Sequence, residues 1–383
     1  MNTSQNISAE IIVVGAGMAG VTAAAVLGQQ GHTVILVDPR PSCPPLFRCE
    51  KLEPHQAEAL RKFDLLKYLL PQAGHIREVR GGYNGRLFKI DPIEQYSMYY
   101  SDMVNLLRTH MPNGVECKLG HVERIVNSDE LQRVTLKGGE ELTSRLVVLA
   151  CGVSSELQTS LKLRKDVIQK DQSLAFGFSI ARLDGLPFSF DAITYYPTTS
   201  TEYVDYLALF VMGQAMRANL FVFRCASDPW VRQFVKQPDQ MLKSSLPKLS
   251  RLIGDFRVVT KVETGRVDLY RMYGQNQPGI VLIGDAFQVA CPSTGMGFTK
   301  LLTDVDVLAE CVPQWFATPG IDCGKIATFY TNPRKKAVDD RAVKAAFFGR
   351  HAVMDRSVLW RMYRLRLHLP MLFGRRWPVC REA

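Results

Sequence analysis

Lysine and arginine are missing from the opening stretch MNTSQNISAE. An apolar run follows from Ile11 to Leu27, but without a positively charged start it does not read as a signal peptide. Gly15, Gly17 and Gly20 also interrupt it, so a strand–turn–helix is expected in a chain that stays in the cytoplasm. The nine cysteines include no C-x-x-C and no pair with zinc-finger spacing to the histidines. Scattered thiols of this kind are expected to be buried, in a reducing compartment. His32, His55, His75, His110, His121, His351 and His368 form no H-x-x-x-H or H-E-x-x-H pattern, and no metal site is expected. A G-x-S-x-G elbow, an internal repeat and a low-complexity linker are all absent.

A chain of 383 residues, 46% apolar and 22% charged, is globular by composition and long enough for two domains. Glu10 to Val14, Val21 to Leu27 and Thr33 to Asp38 read as strand, helix and strand around a glycine turn, the unit of a parallel doubly wound sheet. Leu142 to Ala150 and Ile280 to Ile283 read as further buried parallel strands. Between Phe176 and Arg224 the runs FGFSIARL, FDAITYYP, YLALFVMG and NLFVFR are strand-like and aromatic, with no comparable helix between them. They predict an antiparallel sheet. Leu301 to Cys311 and Lys325 onward return to helical spacing.

The expected fold class is therefore α/β: a Rossmann-like parallel sheet interrupted by a mostly antiparallel β substrate domain, with a helical C-terminal tail. The expected division is 1–75, 97–165 and 275–325 for the nucleotide-binding domain, 76–96 and 166–274 for the substrate sheet, and 326–383 for a basic helical segment.

GAGMAG fits G-x-G-x-x-G with Gly15, Gly17 and Gly20 in the glycine positions and Met18 and Ala19 between the last two. The first glycine permits a tight turn, the second lets the backbone approach a pyrophosphate, and the third lets helix pack on strand. The helix start offers free N–H groups and partial positive charge to phosphates. Asp38 ends the next strand, placed to accept hydrogen bonds from an adenosine ribose, and Arg40 beside it is taken with it. This cluster suits FAD or NAD and does not separate them.

The second cluster, GDAFQVACPSTGMGF, runs from Gly284 to Phe298. Asp285 at a strand end can bond a polyol chain. The turn holding Pro292, Gly295, Met296 and Gly297, which leads into a helix near Phe298, can set backbone N–H groups against an anionic ring edge. A flavin needs both, and an ordinary NAD enzyme needs neither.

Together the two clusters resemble the FAD-dependent monooxygenases of the para-hydroxybenzoate hydroxylase type, whose late motif reads roughly GDAAH-x₃-P-x₂-G-x-G. The spacing from Asp285 to Pro292 to Gly295 matches, with Phe287-Gln288 in place of the usual Ala-His. The resemblance implies that Asp285 holds the ribityl chain and that the Pro292–Gly297 turn lies against the isoalloxazine. FRCEKLEPHQAEALRKFDLL is similar to the segment in which the family's arginine reaches the flavin, and Arg48 is the candidate. The family's middle motif, D-G-x-x-S-x-x-R, survives only as Gly152 and Ser155, with Cys151 and Gln158 in the Asp and Arg places. The arginine that often opens the helix near MYYSDMVNLL is absent too.

The resemblance further implies NADH or NADPH as co-substrate, O2, and a flavin hydroperoxide that hydroxylates an aromatic or lipophilic small molecule. Tyr195, Tyr196, Tyr203 and Tyr206 could orient such a substrate or simply pack the sheet, and no catalytic base is identified. The four tryptophans lack the G-W-x-W-x-I-P context of the flavin-dependent halogenases. Two other readings stay open: a flavin reductase acting on prenyl chains, and an accessory flavoprotein that modifies a protein side chain.

Of the net charge of +10, the part that matters lies in RSVLWRMYRLRLHLPMLFGRRWPVCRE, Arg356 to Glu382, where carboxylates are nearly absent. This tail could pack on the core, rest on the inner face of a membrane, or dock an acidic carrier protein. Nucleic acid is not expected, because the charge sits in a tail rather than in a binding module.

Overall fold

The computed structural model describes residues 7–153, 156–197 and 203–373. Two β-branched runs, Ile11–Val14 and Val34–Asp38, are wholly buried and lie parallel, Ile11 opposite Val34. They belong to a five-stranded parallel sheet ordered Ile280–Leu282, Leu146–Leu149, Ile11–Val14, Val34–Asp38, Val115–Leu119. The central strand runs into the first glycine loop and then the helix Met18–Gln29. That helix is apolar on nearly every side because it is enclosed, packing against the helices Tyr100–Thr109 and Met296–Phe316. Among the described residues no helix is long and apolar enough to cross a membrane.

The single strand expected over Leu142 to Ala150 is two. Glu141–Ser144 alternates buried and open residues and joins a small three-stranded antiparallel sheet with Val122–Val126 and Gln132–Leu136. Leu146–Leu149 is buried throughout and joins the parallel sheet. The break falls at Arg145, whose guanidinium lies over the Phe316 ring.

The middle of the chain forms a nine-stranded sheet. Its path is Phe256–Val258, Arg164–Arg182, Ala215–Val222, Val204–Met212, Ala192–Tyr196, Gly74–Tyr83, Arg86–Ser97, Lys51–Leu52, and Glu263–Tyr273 pairs with Arg164–Arg182 off that path. All pairings are antiparallel except Ala192–Tyr196 with Gly74–Tyr83. Three helices absent from the sequence reading, Pro229–Lys236, Pro238–Ser245 and Ser250–Ile253, supply Trp230, Phe234, Leu242 and Ile253 to the core that holds Phe176 and Phe178.

Arg164–Arg182 and Glu263–Tyr273 form one ribbon whose ladder shifts between Val167 and Ser173. Leu163 and Tyr270 belong to the core under the parallel sheet, whereas Leu174 to Ile180 lie in the core of the large sheet. The ribbon therefore joins the two bodies. The thiols are less buried than expected: Cys43, Cys291 and Cys311 are buried, but Cys117, Cys225 and Cys323 are exposed.

Candidate functional site

Gly15 leaves the central strand at φ +99°, a conformation that favours glycine, and its N–H donates to Val37 O at 2.8 Å. A Cβ on Gly20 would collide with Gly15 O, so only glycine lets the helix sit this close to the turn. Asp38 does more than the sequence suggested. Its Oδ2 accepts from Ala16 N at 2.8 Å and its Oδ1 from Arg40 N at 3.0 Å, so it clamps the glycine loop. Each oxygen retains a further lone pair for a ligand hydroxyl. The Arg40 side chain is mostly exposed, with Nε 3.7 Å from Asp38. Arg108, which the sequence reading missed, donates to Ala16 O and to Arg40 O and closes the loop from the other side.

Where the resemblance expects an arginine at the start of the helix Tyr100–Thr109, Tyr100 presents a phenol. The N–H of Met18, in the first turn of the helix Met18–Gln29, donates to Tyr100 Oη at 3.0 Å, and a Cβ on Gly17 would lie 3.2 Å from the same oxygen. Burial raises the Tyr100 pKa, so the phenol keeps its proton, and that proton has no acceptor among the described residues. A neutral donor therefore stands at a helix N-terminus, where an anionic oxygen would be bound.

The second cluster arrives from the other end of the chain. Gly284, Asp285 and Ala286 make a single tight turn after the strand Ile280–Leu282, and a Cβ on Gly284 would lie 3.1 Å from Ala19 Cβ. The two glycine clusters therefore touch. Asp285 Oδ2 lies 3.4 Å from Arg48 Nη1, both side chains partly open to solvent. Surrounding protein raises the Asp285 pKa, opposed by Arg48 and Lys300. The turn is fixed by Tyr270 Oη donating to Asp285 O at 3.1 Å and Gln158 Nε2 donating to Ala286 O at 3.2 Å.

Pro292–Thr294 form the next turn, and Gly295, at φ +67°, opens the helix Met296–Phe316 slightly earlier than expected. A Cβ on Gly295 would meet nothing within 4 Å, and one on Gly297 only Ala290 at 3.9 Å, so this face of the turn is open. Gln56 Nε2 donates to Gly295 O at 3.1 Å and Thr299 Oγ1 at 2.9 Å. Tyr206 Oη donates to Ser293 O at 2.8 Å and brings the large sheet onto the turn. Tyr196 lies beside Tyr206. Tyr195 is sheet core, its Oη accepting from Gly85 N, and Tyr203 lies under Arg224 and Arg356.

Two charged clusters went unread in the sequence. Lys300, Lys335, Asp304 and Asp339 form a quartet beneath the Asp285 turn, with side chains 2%, 0%, 1% and 6% exposed. Lys335 Nζ lies 2.6 Å from Asp304 Oδ1 and Lys300 Nζ 2.9 Å from Asp304 Oδ2, which also accepts from Gly284 N at 2.8 Å. Burial works against the Asp304 carboxylate, but Lys300 and Lys335 outweigh it and hold its pKa below the usual range. The two lysines differ: burial depresses Lys335, whereas Asp304 and Asp339 outweigh burial at Lys300 and raise it. The second cluster is Arg217, which grips Glu50 through two bonds of 2.8 Å, reaches Glu263 at 2.5 Å and lies over the rings of Phe47 and Tyr99. The segment from Phe47 to Gln56 therefore reaches Asp285, the sheet and the Gly295 turn together.

The decayed middle motif has physical substitutes. Burial pushes the Cys151 thiol up to about 11, and Gln158 is buried and committed to Ala286. Ser155 lies outside the described residues. Among the described residues no group of three or more His, Cys, Asp or Glu could hold a metal ion.

Residues 10–191 match the family model described as lycopene cyclase protein, a little under half of the chain. A search of curated proteins finds no match. Among solved structures, the chain is similar to the p-nitrophenol 4-monooxygenase PnpA from Pseudomonas putida DLL-E4, at 19% identity and TM-score 0.65 over 97% of this chain and 99% of that one. It is similar to the flavin-dependent brominase Bmp2 at 17% identity and TM-score 0.66, over 96% and 93%. The halogenase PltM, a variant of which is solved in complex with FAD, superposes at 15% identity and TM-score 0.69, over 96% and 82%.

Proposed function

From a fold shared with flavin-dependent monooxygenases and halogenases, we propose that this chain binds FAD and is a monooxygenase acting on an aromatic or lipophilic small molecule. The observation that carries this is the contact of the two glycine clusters around Tyr100, Arg48 and Asp285. In this reading the first loop and Tyr100 hold the pyrophosphate, Asp38 with Arg40 the adenosine ribose, and Asp285 with Arg48 the ribityl chain. The open Pro292–Gly297 turn offers N–H groups to the ring. The site also fits in charge: a neutral phenol and a helix start meet the phosphates, and a carboxylate meets hydroxyls.

When bound and reduced, FAD supplies the activation of O2. The balanced reaction is NAD(P)H, a proton, O2 and substrate giving NAD(P)⁺, water and hydroxylated product, and O2 is the oxidant. The chain's own part is positional. Tyr206 reaches the turn from the large sheet with Tyr196 beside it, and Arg217 is committed to Glu50 and Glu263. The division into the domains expected above is retained as part of this proposal.

The lycopene cyclase match, together with Gln158 where an arginine would serve the pyridine nucleotide, favours a second reading: a flavin enzyme acting on a prenyl or polyene chain without oxygen insertion. One experiment separates them. The purified protein should be yellow, and NADH or NADPH should bleach it anaerobically, faster with phenols or quinone precursors present. Oxygen uptake matching substrate consumption supports hydroxylation. Turnover that proceeds without oxygen supports the second reading, and a colourless protein that takes up no FAD sinks both.

A further inference from the structure

None of the roles above uses the last helix. The long helix Pro333–Met354 turns at Asp355 into Val358–Phe373. Among the described side chains of the last helix, Trp360, Tyr363 and Arg364 hold it to Pro333–Met354. Trp360 and Tyr363 meet Phe348 edge-on, Trp360 stacks on His351, and Arg364 Nη1 donates to Ala352 O at 2.9 Å. Other apolar side chains are bare: Val358 is 69% exposed, Leu359 79%, Met362 64% and Leu365 64%. Steps of three and four residues align these side chains in one stripe. A continuous apolar stripe of this kind marks a contact surface, unlike apolar residues scattered singly.

Charge selects what covers it. Arg356, Arg361, Arg364 and Arg366 are the charged side chains of this segment, and after Asp355 the next carboxylate in the sequence is Glu382. Among the described residues none of these four arginines has an ion-pair partner. Arg364 has its pKa lowered by burial and by crowding from Arg356 and Arg361, against the pull of Asp355. A second copy of this face would bring the same arginines together. A protruding apolar ridge with a basic rim suits a lipid surface, its aliphatics at the acyl boundary and its guanidinium groups among anionic headgroups.

We propose that the helix Val358–Phe373 lies on an anionic membrane surface, its Val358–Leu365 stripe inserted and Arg361 and Arg366 at the headgroups. The helix runs beside the strand Arg86–Ser97, and Arg356 at its root lies over Tyr203, so docking would set the large sheet against the lipid. That purpose rests on the lipophilic-substrate reading above, but the binding does not.

The test is sedimentation of the full-length protein with phosphatidylcholine vesicles containing or lacking phosphatidylglycerol. The expected result is pelleting only with phosphatidylglycerol, weakened by salt. Each arginine at such a surface contributes about fivefold, so R361E/R366E should weaken binding by about 25-fold or more. L359D/M362D should also lose binding, and both variants should keep the wild-type melting temperature, since all four side chains are exposed. No pelleting, or pelleting equal in wild type and variants, overturns the proposal. So does a lipid-free dimer that L359D/M362D splits, because the stripe would then be an interface between copies. A colourless protein that still pellets sinks only the flavin reading, and a yellow protein that does not pellet sinks only this one.

Discussion

Replacing Asp304 by Asn removes one charge from a closed set of four while keeping the side chain's size. Lys300 and Lys335 would then face Asp339 alone, leaving one uncompensated positive charge in a site where no side chain exceeds 6% exposure. Breaking a buried pair in this way costs about 3–5 kcal/mol. At about 2–4 °C per kcal/mol, the melting temperature should fall by roughly 10 °C. Lys335→Met should cost a similar amount with the opposite residual charge. The double variant Asp304→Asn/Lys335→Met keeps Lys300 and Asp339 at 3.4 Å as a neutral pair, so it should be no less stable than either single variant. Thermal melts of the four proteins give the coupling directly. The pH dependence has a fixed sign. The depressed pKa of Asp304 means its contribution is complete above the usual carboxylate range and is lost as the pH falls through it, a loss that Asp304→Asn should not show. A single-variant cost below about 1 kcal/mol, or plain additivity in the double variant, would refute the reasoning.

Asp285→Asn should weaken FAD binding by about tenfold or more in a fluorescence titration, through loss of a charge-assisted bond. Unchanged affinity would remove Asp285 from the site. Tyr100→Phe leaves Met18 N without its acceptor and removes the free phenol proton, so FAD affinity should fall about tenfold while apoprotein stability drops by about 1 kcal/mol; equal affinity in calorimetric titration would count against Tyr100 as a phosphate ligand. Arg217→Met strands Glu50, whose pKa burial already raises, and should cost about 3–5 kcal/mol at pH 7. Because an acid with a raised pKa favours the folded state at low pH, this variant should regain stability as the pH falls from 7 toward 5, which a pH series of melts would show.

The parts of the site that were legible in the sequence are those where backbone geometry dictates residue type. Gly15 and Gly20 are demanded by a turn and a close approach, and Asp285 and the Pro292–Gly295 spacing follow a local loop, so short patterns reveal them. Strands with buried β-branched runs were legible for the same reason. Arg108, Tyr100, Gln56, Glu50 and Arg217 were not, because each acts across a large sequence separation with no local signature. The quartet had only a partial signal, the i,i+4 spacings Lys300–Asp304 and Lys335–Asp339, which on most helices describe a solvated face. The break at Arg145 was hidden because two strands in different sheets adjoin without a turn residue between them.

The helix Pro333–Met354 spans roughly 33 Å at the usual rise per residue. Its first turns supply Lys335 and Asp339 to the quartet, and Asp339 O accepts from Gln288. Its last turns receive Gln172 Nε2 at Ala346 O and send Arg350 to the carbonyls of Asp171 and Gln172, where the long ribbon crosses between bodies. It is thus a strut bolted at one end under the Asp285 turn and at the other to the ribbon. A chain clipped before it would keep every glycine of both clusters and still lose the spacing between them and the large sheet.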